Sequence, residues 1–432
     1  MTEPKPRRPR PAARTIANDL RGASRLAVDA TLGLTSLVEN LHHNILRVPG
    51  PLGAVSEQPT GGITGLVYRS IRGVTRLVGG SLDALLGQVV SLLGTPAAAL
   101  PDGSAVPAAA EREAVIAVLN GVLGDHLAAT GNPLAIPMTL RHDGQALTLQ
   151  AEALAQALPQ ARPRVLLLLH GLCMHPRQWR RNGHDYGAAL ATEAGCTLLH
   201  LHYNTGRHVS TNGLELADRL QALQQAWPVP LEEIVILAHS MGGLLARSAI
   251  RQAESRGDTW PPLVRKMFFL GTPHHGAPLE RGGHWIDRLL GASPYTAALS
   301  RLGKLRSAGI TDLRHGSLLD EDWVGSDRFA HGHDTRTPVP LPARVACYAM
   351  AGVLGRGNGE LSDQLLGDGL VPLDSALGRH KQATRTLAFD AGREWVGQGL
   401  SHLDLLGHAD VGAQLRAWLL APQDANTAPA PG

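Results

Sequence analysis

The spacing of hydrophobic positions changes character along this chain. From about Thr15 to Leu46 it is helical, with Leu26, Ala30, Leu34 and Leu37 on one face. Residues 63–94 are dense in Val and Leu and carry Gly73, Gly80, Gly87 and Gly94 seven apart. In a helix such glycines form a slowly drifting stripe that another backbone can approach closely. This predicts a helix packed on 15–46, with a membrane-surface or self-associating hairpin as the alternative. Arg72, Arg76 and Asp83 speak against a spanning helix. After a Pro/Ala-rich linker at 95–109, Val115, Val118, Leu119 and Val122 mark another amphipathic helix. Ile136–Leu140 and Ala146–Leu149, either side of His142-Asp143-Gly144, predict a β-hairpin.

From Arg164 onward short apolar runs alternate with helical segments. Strands are predicted at Val165–Leu169, Thr197–Leu201, Ile234–Leu237, Lys266–Leu270, Val345–Met350 and Thr386–Phe389. Helices are predicted at Asp185–Ala194, around Leu216–Trp227, from the serine turn to about Gln252, and at Val411–Leu420. Repeated β-α alternation implies a mostly parallel, doubly wound sheet, with ligands bound beyond the carboxyl ends of its strands.

The chemistry sits at those strand ends. Ile234–Leu237 runs into Ala238-His239-Ser240-Met241-Gly242 and then a helix, which is the layout of a nucleophile elbow. Ala238 stands where that pattern has its first glycine. After Val165–Leu169 come His170 and Gly171, and the N–H of Leu172 can face a substrate carbonyl. The N–H of Met241 is the natural second oxyanion donor. His170 reads as a hydrogen-bonded scaffold residue, and Gly171, His239 and Gly242 as supporting residues.

A serine needs a base, and the base needs an orienting acid, in the chain order Ser, acid, His. Gly367-Asp368-Gly369 fits the acid better than Asp363 or Asp374. His402, in Ser401-His402-Leu403-Asp404, fits the base better than His408 or His380. His274-His275, His200/His202 and His331/His333 have no partner cluster in sequence, so no metal and no cofactor are expected.

Composition changes little. Aromatic content is only 4%, and the net charge of +3 is set by residues 1–15, which carry +4 through Lys5, Arg7, Arg8, Arg10 and Arg14 against Glu3. The remainder is near neutral, so no nucleic-acid partner is expected. Cys173, Cys196 and Cys347 lack metal-type spacing and read as reduced thiols of a cytoplasmic protein. No secretory signal or transmembrane run is evident.

His170-Gly171-Leu172, Tyr203-Asn204-Thr205-Gly206, Ala238–Gly242, Leu270–Gly276 and Gly367–Pro372 occur in order. Together they resemble the lipase-like α/β-hydrolases, in particular the lipase class 2 and GPI inositol-deacylase-like branch, over about residues 160–420. The resemblance implies an α/β-hydrolase fold, Ser240 as nucleophile, Asp368 as acid, His402 as base, and the N–H groups of Leu172 and Met241 as the oxyanion hole. The expected plan is a disordered tail at 1–15, a helical extension at 16–130, a hydrolase domain at 131–422 and a disordered tail at 423–432. A cap is expected at about 277–342, its apolar face carrying Trp285, Leu289, Leu290, Tyr295, Leu299 and Leu302. The expected activity is ester hydrolysis on a small-molecule or lipid substrate. Acyl transfer through the same triad and a non-catalytic scaffold are the alternatives. Residues 1–94 are the candidate for a peripheral membrane contact; the sequence leaves the oligomeric state open.

Overall fold

A computed structural model describes residues 18–32, 69, 72–77, 80, 83, 106–277, 307–325, 336–355 and 367–422. The chain divides into two compact units, one of residues 1–104 and 129–135 and one of 105–128 and 136–432. In the first unit, residues 18–32 are helical. Asp83 accepts from Arg21 Nε at 2.8 Å and from Arg25 Nη2 at 2.7 Å. The two guanidinium groups hold its carboxyl far below the usual range. Among the described residues, a Cβ built on Gly73 or Gly80 meets nothing within 4 Å; the contact the structure does show to residues 18–32 is made by the side chain of Asp83. Gly87 and Gly94 lie outside the described residues, as do both tails and the six apolar cap positions.

The second unit is built on an eight-stranded sheet. Its strands are β1 (Thr139–His142), β2 (Gln145–Ala146), β3 (Arg164–Leu169), β4 (Thr197–His202), β5 (Glu233–His239), β6 (Val264–Leu270), β7 (Ala346–Val353) and β8 (Glu394–Gln398). They lie in the order β8-β7-β6-β5-β3-β4-β1-β2. Pairing is parallel from β8 to β4 and antiparallel at β4–β1 and β1–β2. The direction of winding reverses at β3, between β4 and β5, where this topology opens a crevice at the carboxyl ends.

Helices cover both faces, which is why β3 and β5 are nearly continuous apolar runs. On one face Leu167, Leu169, Ile236 and Phe269 pack on α4 (Val209–Ala226) and α5 (Met241–Arg256). On the other, Leu166, Leu168, Leu237 and Phe268 pack with residues of α3 (Tyr186–Ala194) and α7 (Ala409–Leu420). Two further helices are α2 (Ala151–Ala157) and α6 (Ala308–His315), the latter within the expected cap.

One expectation needs correction. Thr386–Phe389 is not the last strand. Leu387 N–H bonds Gly378 O at 2.8 Å, and Phe389 packs edge-on to Phe269, so the run serves as a core-facing loop. The strand is β8, in register with β7 from Glu394↔Ala349 to Gln398↔Val353. Helix α1 (Val106–Ala129) lies almost wholly in the second unit, and it starts inside the expected linker. Its buried positions include Ala117, Asn120, Gly121 and Gly124 as well as Val118 and Val122, so small residues set its closest contacts.

The last helix is tied to the sheet by a buried lysine. Lys266 on β6 donates from Nζ to the carbonyls of Trp418, Leu419 and Ala421 at 2.9, 2.8 and 2.8 Å. The cation sits where a helix leaves its carbonyls unpaired and its dipole is negative. Lys266→Met removes the donor and strands those acceptors, so a loss of about 2–4 kcal/mol is expected in urea unfolding. An unchanged midpoint would show that the tie is incidental.

Candidate active site

Ser240 follows β5 directly and is the N-cap of α5, with φ 54° and ψ −124°. A non-glycine residue at positive φ is strained and is held there only by its surroundings. Here Ser240 N–H bonds Leu270 O on β6 at 2.8 Å. Gly242 leaves the room the turn needs: a Cβ there would collide with the carbonyl oxygens of Leu169 and His170 at the end of β3. Ala238, in strand pairing with Leu169 and Phe269, stays within β5, so the missing first glycine distorts nothing.

Asp368 and His402 come together from two loops at the same edge. His402 Nδ1 bonds Asp368 Oδ2 at 2.7 Å, and His402 N–H bonds Asp368 O at 3.0 Å. The other carboxylate oxygen, Oδ1, accepts from Leu370 N at 3.0 Å and Val371 N at 2.9 Å. Both side chains are almost fully buried. With a carboxylate accepting from Nδ1, the neutral ring carries its lone pair on Nε2. The ring lies over Gly271, which has φ 57°, and a Cβ there would stand 2.9 Å from Nδ1. Gly271 directly follows Leu270, the residue that anchors Ser240, so β6 places the imidazole beside the elbow.

His239 joins the two halves. Its Nε2 donates to His402 O at 3.2 Å, and the two rings are 4.6 Å apart. At the end of β3, a Cβ on Gly171 would be 3.0 Å from Ser240 Cβ. His170 is fully buried, with Nδ1 on Gly171 O at 3.0 Å and its ring stacked on Tyr203 at 4.6 Å. Leu172 N–H has no hydrogen-bond partner among the described residues, and Met241 N–H lies in the first helical turn, which has no acceptor within the helix.

Sequence reasoning did not assign roles to the residues that fix this loop. Cys173 stands at φ 58°, its N–H bonded to Thr205 Oγ1 at 3.1 Å. Tyr203 Oη donates to His170 O at 2.9 Å. A polar quartet directly after a buried strand, Tyr203-Asn204-Thr205-Gly206, was the available signal. His274 and His275 are held in the scaffold: His274 Nδ1 accepts from Arg247 at 3.2 Å, and His275 Nε2 donates to Gly378 O at 2.9 Å; His331 and His333 lie outside the described residues. No group of three or more His, Cys, Asp or Glu converges as a metal site among the described residues. Cys173, Cys196 and Cys347 are buried and unpaired. No described helix is long and apolar enough to cross a membrane.

Burial makes this edge sensitive to acid. Desolvation lowers His170 to about 3 and holds His239 and His274 well below their ordinary value. Each is neutral when folded and titrates near 6.5 when unfolded, so the unfolded state binds more protons below pH 6.5 and stability falls with pH. At pH 5 His170 alone costs about 2 kcal/mol, and His239 and His274 act in the same direction. The melting temperature is expected to be level above about pH 7 and to drop steadily toward pH 5. A flat profile over that range would mean these rings are not neutral when folded.

The sheet order, the elbow after β5 and the His–acid pair beyond β7 and β8 define an α/β-hydrolase fold. Within it, residues 160–338 match the family model of the PGAP1-like alpha/beta domain, in keeping with the lipase-like resemblance of the sequence. No curated protein matches the chain. Among solved structures, the mature Bacillus licheniformis lipase BlEst2 is similar at 18% identity, with 59% of this chain and 91% of that chain covered and a TM-score of 0.37. Phospholipase PlaB from Legionella pneumophila, solved in complex with thio-NAD, is similar at 14% identity over 61% of this chain and 60% of that one, with a TM-score of 0.39.

Proposed function

We propose that this protein is a serine hydrolase of carboxylic esters that works through an acyl-enzyme on Ser240. The observation that carries the reading is the buried His402–Asp368 pair, 2.7 Å apart, at the sheet edge where Ser240 is held at positive φ. His402 Nε2 takes the Ser240 proton as Oγ attacks the ester carbonyl. Asp368 fixes the tautomer and stabilises the imidazolium. The N–H groups of Leu172 and Met241 receive the oxyanion. Collapse of the tetrahedral adduct expels the alcohol, which takes the proton from His402. Water then repeats the sequence and releases the acid. The lipase-like family match supports an ester or lipid as substrate.

The test is labelling with a fluorophosphonate beside hydrolysis of p-nitrophenyl esters from acetate to palmitate. Labelling at Ser240 and turnover of at least one ester are expected, and the chain-length optimum would separate esterase from lipase. Labelling without turnover of any ester would favour acyl transfer. A folded protein that does neither would be a scaffold.

A further inference from the structure

We infer that α1, which precedes the matched domain, is a clamp that sets the oxyanion loop, with Gly121 and Cys173 as positioning residues. The inference rests on the serine-hydrolase reading above and concerns how Leu172 N–H is aimed.

Two strand-end loops and the start of one helix meet on this helix. The first is the oxyanion loop: a Cβ on Gly121 would overlap Cys173 Sγ and stand 3.1 Å from Cys173 Cα, and Sγ also faces Val118 O at 4.0 Å. The second is the loop after β4. Asn204 Nδ2 donates to Gly124 O at 2.8 Å, while Asn204 Oδ1 accepts from Gly206 N at 3.0 Å. A Cβ on Gly124 would overlap the Asn204 amide, and one on Gly206 would overlap Asn120 O. The third is the start of α6, where Ser307 Oγ donates to Gly121 O at 2.6 Å and Ala308 N–H bonds Asp125 Oδ2 at 2.9 Å.

Cys173 is therefore fixed from two sides. Thr205 Oγ1 holds its N–H, and the α1 backbone closes on its sulfur. Leu172 lies between Cys173 and Gly171, and Gly171 is pressed against Ser240. The direction of the Leu172 N–H follows from the strained turn at Cys173, and that turn persists because α1 leaves no other place for the sulfur. The thiol takes no part in the chemistry: it is fully buried, and desolvation raises it to about 12.

A donor aimed at the oxyanion acts on the transition state, so displacing it lowers kcat and leaves KM almost unchanged. The test is a double-mutant cycle on whichever p-nitrophenyl ester the wild type turns over best, with melting temperatures measured alongside. Gly121→Ala pushes the loop away and is expected to lower kcat by about 10²–10³-fold, the range for loss of one oxyanion donor. Cys173→Ala cannot clash, so it keeps the test valid if Gly121→Ala does not fold. It leaves the loop loose and is expected to lower kcat about 3–10-fold, well below the effect of a lost donor. In Gly121→Ala/Cys173→Ala the new methyl occupies the place of the sulfur, and kcat is expected to return to within about threefold of wild type, a coupling at or above the upper end of what residues in contact show. Unchanged kcat in both single variants, or additive losses in the double, would overturn the clamp while leaving the hydrolase standing. A wild type with no Ser240-dependent labelling or turnover would remove the reading beneath it and the clamp as well.

Discussion

Ser240→Ala is expected to lower kcat by roughly 10⁴–10⁶-fold with no loss of fold. Alanine bears the same backbone strain at φ 54° as serine does, so the elbow keeps its geometry. The Leu172 and Met241 N–H groups and the His402–Asp368 pair are untouched. What remains is catalysis by oxyanion stabilisation and binding alone, about 10³–10⁴ over water. Steady-state hydrolysis under saturating ester measures the loss, and fluorophosphonate labelling should vanish with it. A folded variant that keeps more than about one part in a hundred of the wild-type rate would place the nucleophile elsewhere, against the loss typical of such a residue.

Asp368→Asn should be nearly as damaging, at about 10⁴-fold in kcat, although it changes one atom. Oδ1 faces two backbone donors, Leu370 N–H and Val371 N–H. An asparagine must keep its oxygen there, because its NH₂ would meet two N–H groups. The amide nitrogen then takes the place of Oδ2, opposite His402 Nδ1. To accept from it, Nδ1 must give up its proton, and the proton moves to Nε2, the atom that should deprotonate Ser240. The ring stays in place in the wrong tautomer. Activity within tenfold of wild type would remove Asp368 from the role. It would turn attention to Asp404, whose Oδ2 already accepts from Ser401 Oγ at 2.6 Å.

The sheet was legible wherever burial on both faces produced apolar runs, as at β3 and β5 and in Met267–Leu270 of β6. It was not legible at β8, where Glu394 and Gln398 are exposed and Gly397 breaks the pattern. There the more apolar Thr386–Phe389 drew the prediction, and only strand pairing separates the two. The pairing of Asp368 with His402 was readable because fold order confines acid and base to particular strand ends. The role of α1 was not readable: its decisive contacts are glycines, which mark an absence of side chain rather than a chemistry.

The two outer strands have a consequence for self-association. An edge strand carries unpaired N–H and C=O groups on which another chain can template. Here β2 has only two residues, both exposed, and β8 has five, with an exposed glutamate at one end that is paired to Arg379 at 2.6 Å. Neither offers the long, flat, apolar ribbon on which fibrils grow. Among the described residues, the aggregation-prone segments are therefore the central strands β3, β5 and β6. These are hidden once the sheet has closed and open to misassembly only while it is forming.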